Sequence, residues 1–180
     1  ADNAMLHPKR AGNFAKNPNC TGQNVSPALQ WINAPANTRS FVLFWDDQAG
    51  RAGLGVSHAV VYGIPASVTS FAEGELAAAP VAGKFVAGRN TLGMHWTGPC
   101  SPRGNAPQHY VLTIIASTLA PNDLPPGLSR ADVLKALEGG SYYGYLLLYI
   151  AAYMLDDVIV LTIGVVTLSR HRLQEREGRW

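Results

Sequence analysis

Three short runs of β-branched and aromatic residues are the feature that most constrains the fold of this 180-residue chain. They are Ser40–Trp45 (SFVLFW), His58–Ile64 (HAVVYGI) and His109–Ala116 (HYVLTIIA). Runs of this length and composition, separated by Gly, Pro and Asp, are typical of buried strands. Because the helix signals come only after all three runs, the order of elements predicts a mainly β fold. We expect a Greek-key-like antiparallel β-sandwich with one or two short helices.

Two further segments complete this first part of the chain. Ser129 and Asp132 have the spacing of a helix cap, which predicts a helix over Arg130–Leu137 that ends at Gly139 and Gly140. Residues 83–107 are rich in Gly and Pro and are too irregular for a helix and too long for a simple turn. Long loops of this kind often build binding sites.

The composition changes abruptly after Gly140. Between Tyr142 and Leu168 the only charged residues are Asp156 and Asp157, and the stretch Tyr145–Leu168 is long enough as a helix to cross a hydrocarbon core of about 30 Å. We therefore expect a domain over residues 1–140, a C-terminal apolar transmembrane helix within residues 141–169, and a basic tail over residues 170–180. The alternative is a helix over 142–155, a turn at the aspartates, and a buried strand over 158–168.

The distribution of charge predicts the orientation of this span. Four arginines follow the apolar run directly, namely Arg170, Arg172, Arg176 and Arg179. Basic residues favour the cytoplasmic side, so we expect a membrane-anchored protein whose β-domain lies outside the cytoplasm, in the periplasm. A carboxylate in the span costs about 2.5–3.5 kcal/mol, so we expect Asp156 and Asp157 to face a membrane-protein partner or a polar cavity, or to be protonated. The alternative is a soluble protein, cytoplasmic or periplasmic.

The overall composition excludes several functions. The net charge is only +2, and no basic stripe interleaved with aromatic residues is present, so we expect no nucleic acid partner. The two cysteines, Cys20 and Cys100, have no second cysteine or histidine at a metal-ligand spacing. We expect no metal and no cofactor.

Three stretches resemble the motifs of one known family. Cys20–Trp31 (CTGQNVSPALQW) is similar to its Cys-x-Gly-x-Asn-x-Ser-Pro-x-Leu-x-Trp motif. Residues 40–65 are similar to its apolar strand that ends in Asp-Pro-Asp-Ala-Pro, followed by His-Trp-Val-Val-Tyr-x-Ile-Pro. Residues 98–112 are similar to Gly-Pro-Cys-Pro-Pro and Pro-His-His-Tyr-Val-Phe. Together with Arg89–Gly93 they span most of residues 20–138. Over its first 138 or so residues the chain thus resembles the phosphatidylethanolamine-binding proteins, in their bacterial Raf-kinase-inhibitor-like branch.

The resemblance implies a small ligand pocket. In the family, aspartates, histidines and a tyrosine line a rim that accepts a phosphate-like headgroup, and the matching residues here are Asp46, His58 and Tyr110. Gln48 and Gln108 stand where the family has an aspartate and a histidine, so the charge of this pocket must differ. We expect these five side chains, with Gly98, Pro99 and Asn90, to converge on one pocket. Cys20 and Cys100 belong to pocket-side motifs, and we expect them to lie close together, bonded if the domain is extracytoplasmic.

These observations predict a non-enzymatic binding domain for a small anionic or zwitterionic ligand, such as a phospholipid headgroup. Ser57, His58 and Asp46 have the residue types of a hydrolase triad, but no Gly-x-Ser-x-Gly elbow is present. Two alternatives remain open: an inhibitory or regulatory module that binds a protein through its surface loops, and an accessory structural subunit of a membrane complex.

Overall fold

Six β-strands dominate the part of the chain that the structure, a computed structural model, describes: residues 4–102, 104–139, 150, 154–155, 158–163 and 165–166. They are β1 (Leu29–Gln30), β2 (Ser40–Asp47), β3 (Val56–Pro65), β4 (Ser70–Phe71), β5 (Val86–Ala87) and β6 (Tyr110–Ser117). Two 3₁₀ turns cover Pro8–Arg10 and Glu75–Ala77, and a helix, α1, covers residues 130–139. The chain divides into two compact units, Ala1–Leu137 and Glu138–Trp180.

The strands form two antiparallel sheets. One has four strands in the order β5-β3-β2-β6, and the other consists of β1 and β4 alone. The three sequence-predicted runs correspond to β2, β3 and β6, with ends that differ by a few residues. The expectation of a mainly β, antiparallel fold with few helices is therefore confirmed.

Each face of the four-stranded sheet packs against a different element. Alternate side chains of β2 point to opposite faces, so Phe41, Leu43 and Trp45 contact the cluster that contains Phe71 of β4. Val42 and Phe44, on the other face, pack with Val133 of α1. A fully buried side chain of this kind contributes about 1.5–3 kcal/mol. The central strand β2, buried on both faces, is consequently the core of the domain.

Two irregularities interrupt the pairing of β3 with β2. The register shifts between Phe41 and Leu43 and again between Trp45 and Asp46. At the first shift, Gly63 has φ +61°, and a Cβ there would overlap the carbonyl oxygen of Pro121. Only glycine fits such a position without strain. The second shift leaves His58 without an opposite residue in β2, which matters for the site described below.

Helix α1 begins at the predicted cap. The Ser129 amide donates to the Asp132 carboxylate at 3.1 Å, and the Asp132 amide donates to the Ser129 hydroxyl at 3.3 Å, which is the reciprocal arrangement of a capping box. The Arg130 guanidinium pairs with Asp46 at 3.0 Å and lies 5.1 Å from the centroid of the Phe44 ring. The prediction of this helix is confirmed, and its last described residue, Gly139, has φ +62°.

The prediction of a C-terminal transmembrane helix is wrong. In the described part of the chain, no helix is long and apolar enough to cross a membrane. The alternative of a buried strand over 158–168 is wrong as well, because residues 158–163 and 165–166 are helical and exposed. Asp156, Asp157 and residues 170–180, on which the topology prediction rested, lie outside the described residues.

Truncation of a buried contact between α1 and the sheet tests this packing. Val133 is fully buried and Val81 is 56% exposed, so they make a matched pair. We expect Val133→Ala to lower the free energy of unfolding by about 2 kcal/mol, and Val81→Ala to change it by less than about 0.5 kcal/mol. Urea denaturation measures both. Equal losses for the two variants would contradict the assigned core.

Candidate functional site

A cavity of about 520 Å³ opens where β2 ends and where β3 and β6 begin. Its walls come from the turn after β2, from the loop before β6 and from the first residues of these strands. The lining residues are Asn17, Asp47, Ala49, Gly50, Arg51, Ala52, Val56, His58, Leu92, Cys100, Ser101, Pro102, Asn105, Gln108 and Tyr110.

His58 reaches this cavity because of the second irregularity in β3. Ala59 and Val61 pack on the same face as Trp45, so regular alternation would point His58 to the opposite face. The register shift inserts His58 as an extra residue, and bulges of this kind re-aim a side chain. His58 lies only 4% exposed, with its ring 5.4 Å from the ring of Tyr110.

The hydrogen bond of His58 fixes the position of its proton. Nδ1 lies 2.6 Å from the carbonyl oxygen of Thr97, and since a carbonyl only accepts, Nδ1 carries the hydrogen. In the neutral ring, Nε2 is therefore an acceptor. Burial lowers the pKa of His58 below its ordinary 6.5, while the Thr97 hydrogen bond and the charges of Asp47 and Asp46 raise the pKa in partial opposition.

Tyr110 contributes a hydroxyl group to the same cavity. Its residue lies directly opposite Asp47 in the pairing of β6 with β2. The Tyr110 hydroxyl is 3.1 Å from the hydroxyl of Ser101, so one of the two donates to the other and the second proton stays available. Burial raises the pKa of Tyr110, the hydrogen bond with Ser101 opposes this shift, and the Asp47 charge adds to it.

The two adjacent aspartates of β2 face opposite sides of the sheet. Asp47 shares a face with Tyr110, is 5% exposed and lines the cavity. Its Oδ1 accepts hydrogen bonds from the amides of Ala49 and Gly50 at 3.1 and 3.0 Å, which fixes the turn that forms one wall. Asp46, the aspartate predicted from the motif, points to the other face and pairs with Arg130. The structure thus places Asp47, not Asp46, at the site.

The two glutamines that replace ionisable family residues have different positions. Gln48 is exposed in the turn after β2 and does not line the cavity. Gln108 lines it, and its Nε2 donates to the Ala106 carbonyl at 3.0 Å. That bond settles the amide orientation, because an oxygen could not donate there. Its Oε1 is buried and accepts no hydrogen bond from the described residues.

Gly98, Pro99 and Asn90 do not line the cavity, but they hold in place the loop before β6 that forms part of its wall. The side chain of Asn90 donates to the carbonyls of His58 and His95, at 3.0 and 2.6 Å, and so fastens the loop to β3. The Pro99 carbonyl accepts from the Gly12 amide at 3.0 Å. A Cβ at Gly98 would overlap the Arg10 carbonyl oxygen, so the close approach of these two segments requires glycine.

A disulfide bond between Cys20 and Cys100 borders the cavity, with their Cα atoms 4.7 Å apart. The predicted proximity of the two cysteines is confirmed. Cys100 precedes Ser101, the partner of Tyr110, so the bond ties the wall that carries this hydroxyl to the N-terminal loop.

Several lining residues were not predicted from the sequence, chiefly Asn17 and the turn residues Arg51 and Ala52. Both turn residues have left-handed backbones, with φ +52° and +58°, which is uncommon for residues other than glycine. The signal available in the sequence was the segment AGRAGLG, whose glycines indicate a tight turn directly after the aspartates. No motif indicated that Asn17 would fold back onto it.

Comparison with known proteins gives one family. A family model described as phosphatidylethanolamine-binding protein matches residues 4–142. A UPF0098 protein of Aquifex aeolicus is 35% identical over 121 residues, which is 67% of this chain and 70% of the relative. A UPF0098 protein of Methanothermobacter thermautotrophicus is 34% identical over 121 residues, covering 67% of this chain and 78% of the relative.

Solved structures give the same result. The crystal structure of Escherichia coli YbcL, described as a member of the mammalian PEBP family, superposes with a TM-score of 0.66 at 28% identity and covers 76% of this chain and 83% of YbcL. A PEBP homologue from Chlamydia trachomatis, CT736, gives a TM-score of 0.59 at 24% identity over 74% of this chain and 80% of its own, which shows a common fold.

Removal of the disulfide tests its structural role. The bond joins cysteines 80 positions apart, so we expect the double variant Cys20→Ser/Cys100→Ser to lose about 2–5 kcal/mol of unfolding free energy. Urea denaturation with and without reductant measures this. Reductant should destabilise the parent chain by a similar amount and leave the double variant unchanged, and an equal response of both would contradict the bond.

The burial of His58 predicts a pH dependence of stability. Because its folded-state pKa lies below 6.5, the unfolded chain takes up the proton first as the pH falls. The contribution of neutral His58 is complete above pH 6.5 and is lost as the pH falls through the lower folded-state pKa. We expect His58→Gln to flatten the decline in unfolding free energy over this range. His109→Gln, which alters an exposed neighbour of the site, should leave the decline as it is. The same slope in all three chains would contradict the assigned burial.

Proposed function

The chain belongs to the phosphatidylethanolamine-binding protein family, and we propose that it is a non-enzymatic binding domain for a small zwitterionic ligand that carries a phosphate-like group and an ammonium group. The observation that carries this proposal is the convergence of His58, Tyr110, Asp47 and Gln108 on one cavity. The name of the family supports a ligand of this class.

The cavity offers donors for a phosphate-like group. The hydroxyls of Tyr110 and Ser101 retain one proton between them, and Arg51 supplies a guanidinium group. The Oδ1 atom of Asn17 accepts from the Asn19 amide at 3.0 Å, which leaves its NH₂ group as a donor. Hydrogen bonds between charged donors and phosphate oxygens are roughly twice as strong as neutral ones.

The same cavity offers three acceptors that an anion alone would leave unmatched. They are the buried carboxylate of Asp47, the Oε1 atom of Gln108, and the Nε2 atom of His58 in its neutral form. A dianion placed against Asp47 would be repelled, whereas an ammonium group would satisfy the carboxylate and the amide oxygen. A ligand with both charges therefore fits the cavity better than inorganic phosphate.

The contacts of Ser57, His58 and Asp46, which have the residue types of a hydrolase triad, support a binding role over a hydrolytic one. The Nδ1 atom of His58 donates to the Thr97 carbonyl, whereas in a catalytic triad it would donate to a carboxylate. Asp46 pairs with Arg130 on the other face of the sheet. The Ser57 hydroxyl makes no hydrogen bond to the described residues. A nucleophile needs an adjacent base that a third group orients, and these residues do not provide that arrangement.

The disulfide supports an extracytoplasmic location for the domain. Disulfides persist in the periplasm and outside the cell and are rare in the reducing cytosol. The Cys20–Cys100 bond also borders the cavity, so we propose that ligand binding takes place in an oxidising compartment.

Binding of O-phosphoethanolamine and of inorganic phosphate, followed by NMR or calorimetry, tests the proposal. We expect O-phosphoethanolamine to bind more tightly than inorganic phosphate, because it has an ammonium group that can contact Asp47 and phosphate has none. Asp47→Asn keeps an oxygen for the turn but removes the charge, so it should weaken O-phosphoethanolamine binding by roughly 10- to 100-fold. It should leave phosphate binding unchanged or tighter, since repulsion is removed.

Asp46→Asn is the matched control, because the neighbouring carboxylate faces the other side of the sheet and should change either affinity by less than about twofold. Tyr110→Phe should weaken both compounds. Equal affinities of the parent chain for the two compounds, with Asp47→Asn weakening both alike, would refute the zwitterionic ligand.

A further inference from the structure

Two loops that are distant in sequence form parts of the wall of the cavity, and the disulfide joins them. Asn17 belongs to the N-terminal loop, residues 11–28, whereas Cys100, Ser101 and Pro102 belong to the loop before β6, residues 96–109. Cys20 lies in the same loop as Asn17 and is bonded to Cys100. The bond therefore connects the two segments that bring the polar side chains of Asn17 and Ser101 to the cavity.

The disulfide attaches the wall at a point that hydrogen bonds between the two loops do not reach. The Gly12 amide donates to the Pro99 carbonyl at 3.0 Å, and the Gly98 amide donates to the side chain of Asn24 at 2.7 Å. Among the described residues, the hydrogen bonds between the two loops involve only residues 96–99 of the second loop, which do not line the cavity. The disulfide carries the attachment to Cys100, where the lining begins.

The two bonded cysteines hold polar groups of the cavity in place. The Cys20 amide donates to the Asn17 carbonyl at 3.0 Å, so Cys20 closes the turn that carries Asn17. On the other side, Ser101 directly follows Cys100, and its hydroxyl lies 3.1 Å from that of Tyr110. Without the disulfide, a ligand would have to order both segments as it binds, and such ordering lowers affinity.

We propose that the Cys20–Cys100 disulfide is a redox control on ligand binding: the oxidised chain has the complete cavity, and reduction frees the two wall segments and weakens binding. The proposal rests on the zwitterion binding proposed above. In the reduction, a thiolate of a dithiol such as dithiothreitol attacks one sulfur and forms a mixed disulfide. The second thiol of the reagent then displaces the cysteine. The reagent leaves as a cyclic disulfide, and both cysteines become thiols, with two electrons and two protons passing from the reagent to the protein.

This control has a thermodynamic consequence that a purely structural disulfide lacks. Coupling between two equilibria is reciprocal, so the ligand must shift the thiol–disulfide equilibrium of the folded chain towards the disulfide by the same factor by which reduction weakens the ligand. A disulfide that only stabilises the fold leaves the affinity of the folded chain unchanged in both redox states. The affinity of folded chains therefore separates the two roles.

Binding of O-phosphoethanolamine, followed by NMR, tests the proposal on the oxidised chain, the chain reduced with dithiothreitol, and Cys20→Ser/Cys100→Ser. We expect the reduced chain and the double variant to bind at least about tenfold more weakly than the oxidised chain, and dithiothreitol to leave the variant unchanged. Trimethylamine N-oxide, which favours the folded state, is present in every sample so that folded chains are compared. Affinities within about twofold in the two redox states would overturn the proposal.

Val133→Ala is the control for lost stability, because Val133 packs on the other face of the sheet. It should keep both the affinity of the oxidised chain and the effect of reduction. A loss of affinity in oxidised Val133→Ala as large as that caused by reduction would contradict a specific role of the disulfide.

Backbone order parameters test the redox control without a ligand. If the oxidised chain does not bind O-phosphoethanolamine, the proposed function fails, and these NMR measurements then decide the redox control alone. Reduction should lower the order parameters of the Cys20 and Ser101 amides and leave those of β2 unchanged. Values for Cys20 and Ser101 that stay the same in both redox states would overturn the redox control whatever the ligand is.

Discussion

The pairing of β2 with its two neighbours is the constraint on which the rest of the structure depends. Because β2 is buried on both faces, its alternation assigns each following residue to one side of the sheet, and that assignment continues into the turn after it. Asp47 therefore faces the cavity while Asp46 faces α1. The extra residue in β3 then turns His58 to the side where Asp47 and Tyr110 already lie. A shift of one position in either strand would exchange the two faces and dismantle the site.

The irregular loop before β6 is held by polar side chains in place of regular secondary structure. Asn90 donates to two carbonyls, and Asn24 accepts from the Gly98 amide at 2.7 Å while its own side chain donates to the Trp96 carbonyl at 3.4 Å. Buried backbone groups must find partners, and side-chain amides, which donate and accept at once, can serve groups that no strand supplies. Since this loop carries Thr97, the hydrogen-bond partner of His58, its order also determines the tautomer at the site.

The sequence predicted those features that depend on local patterns. The three long strands follow from their β-branched runs, and α1 follows from the spacing of Ser129 and Asp132, because both signals are contained within a few residues. The family resemblance predicted that His58 and Tyr110 line the same cavity, and both do. Asp46 was chosen over Asp47 because motif position alone does not show which of two adjacent residues of β2 faces the cavity. The membrane span was predicted from the hydropathy of residues 145–168 and from the arginines that follow them, but no helix of the described residues is long and apolar enough to be such a span. The glycines around Arg51 indicated a turn but not that it lines a cavity, and Asn17 reaches the cavity through tertiary folding that no local signal encodes.

The site contains polar groups that the fold itself does not satisfy. A buried acceptor without a donor among the described residues, such as the Oε1 atom of Gln108, costs roughly 1–3 kcal/mol. The carboxylate of Asp47 uses its Oδ1 atom to accept from the turn, and its charge faces the cavity. The sheet does not need the Gln108 amide, since an apolar residue at position 108 would avoid the cost. Other buried polar atoms without a partner among the described residues belong to Trp31, Trp45, Ser57 and Trp96, which do not line the cavity. Gln108 does line it, so a bound molecule can supply the missing donor there. His58 also offers an acceptor to a bound molecule. Burial disfavours the charged form of its ring, and Nδ1 donates its hydrogen to the Thr97 carbonyl. The Nε2 atom of the neutral ring is therefore an acceptor. The chemistry of the cavity is therefore set by what the strands leave unpaired as much as by which residues they bring together.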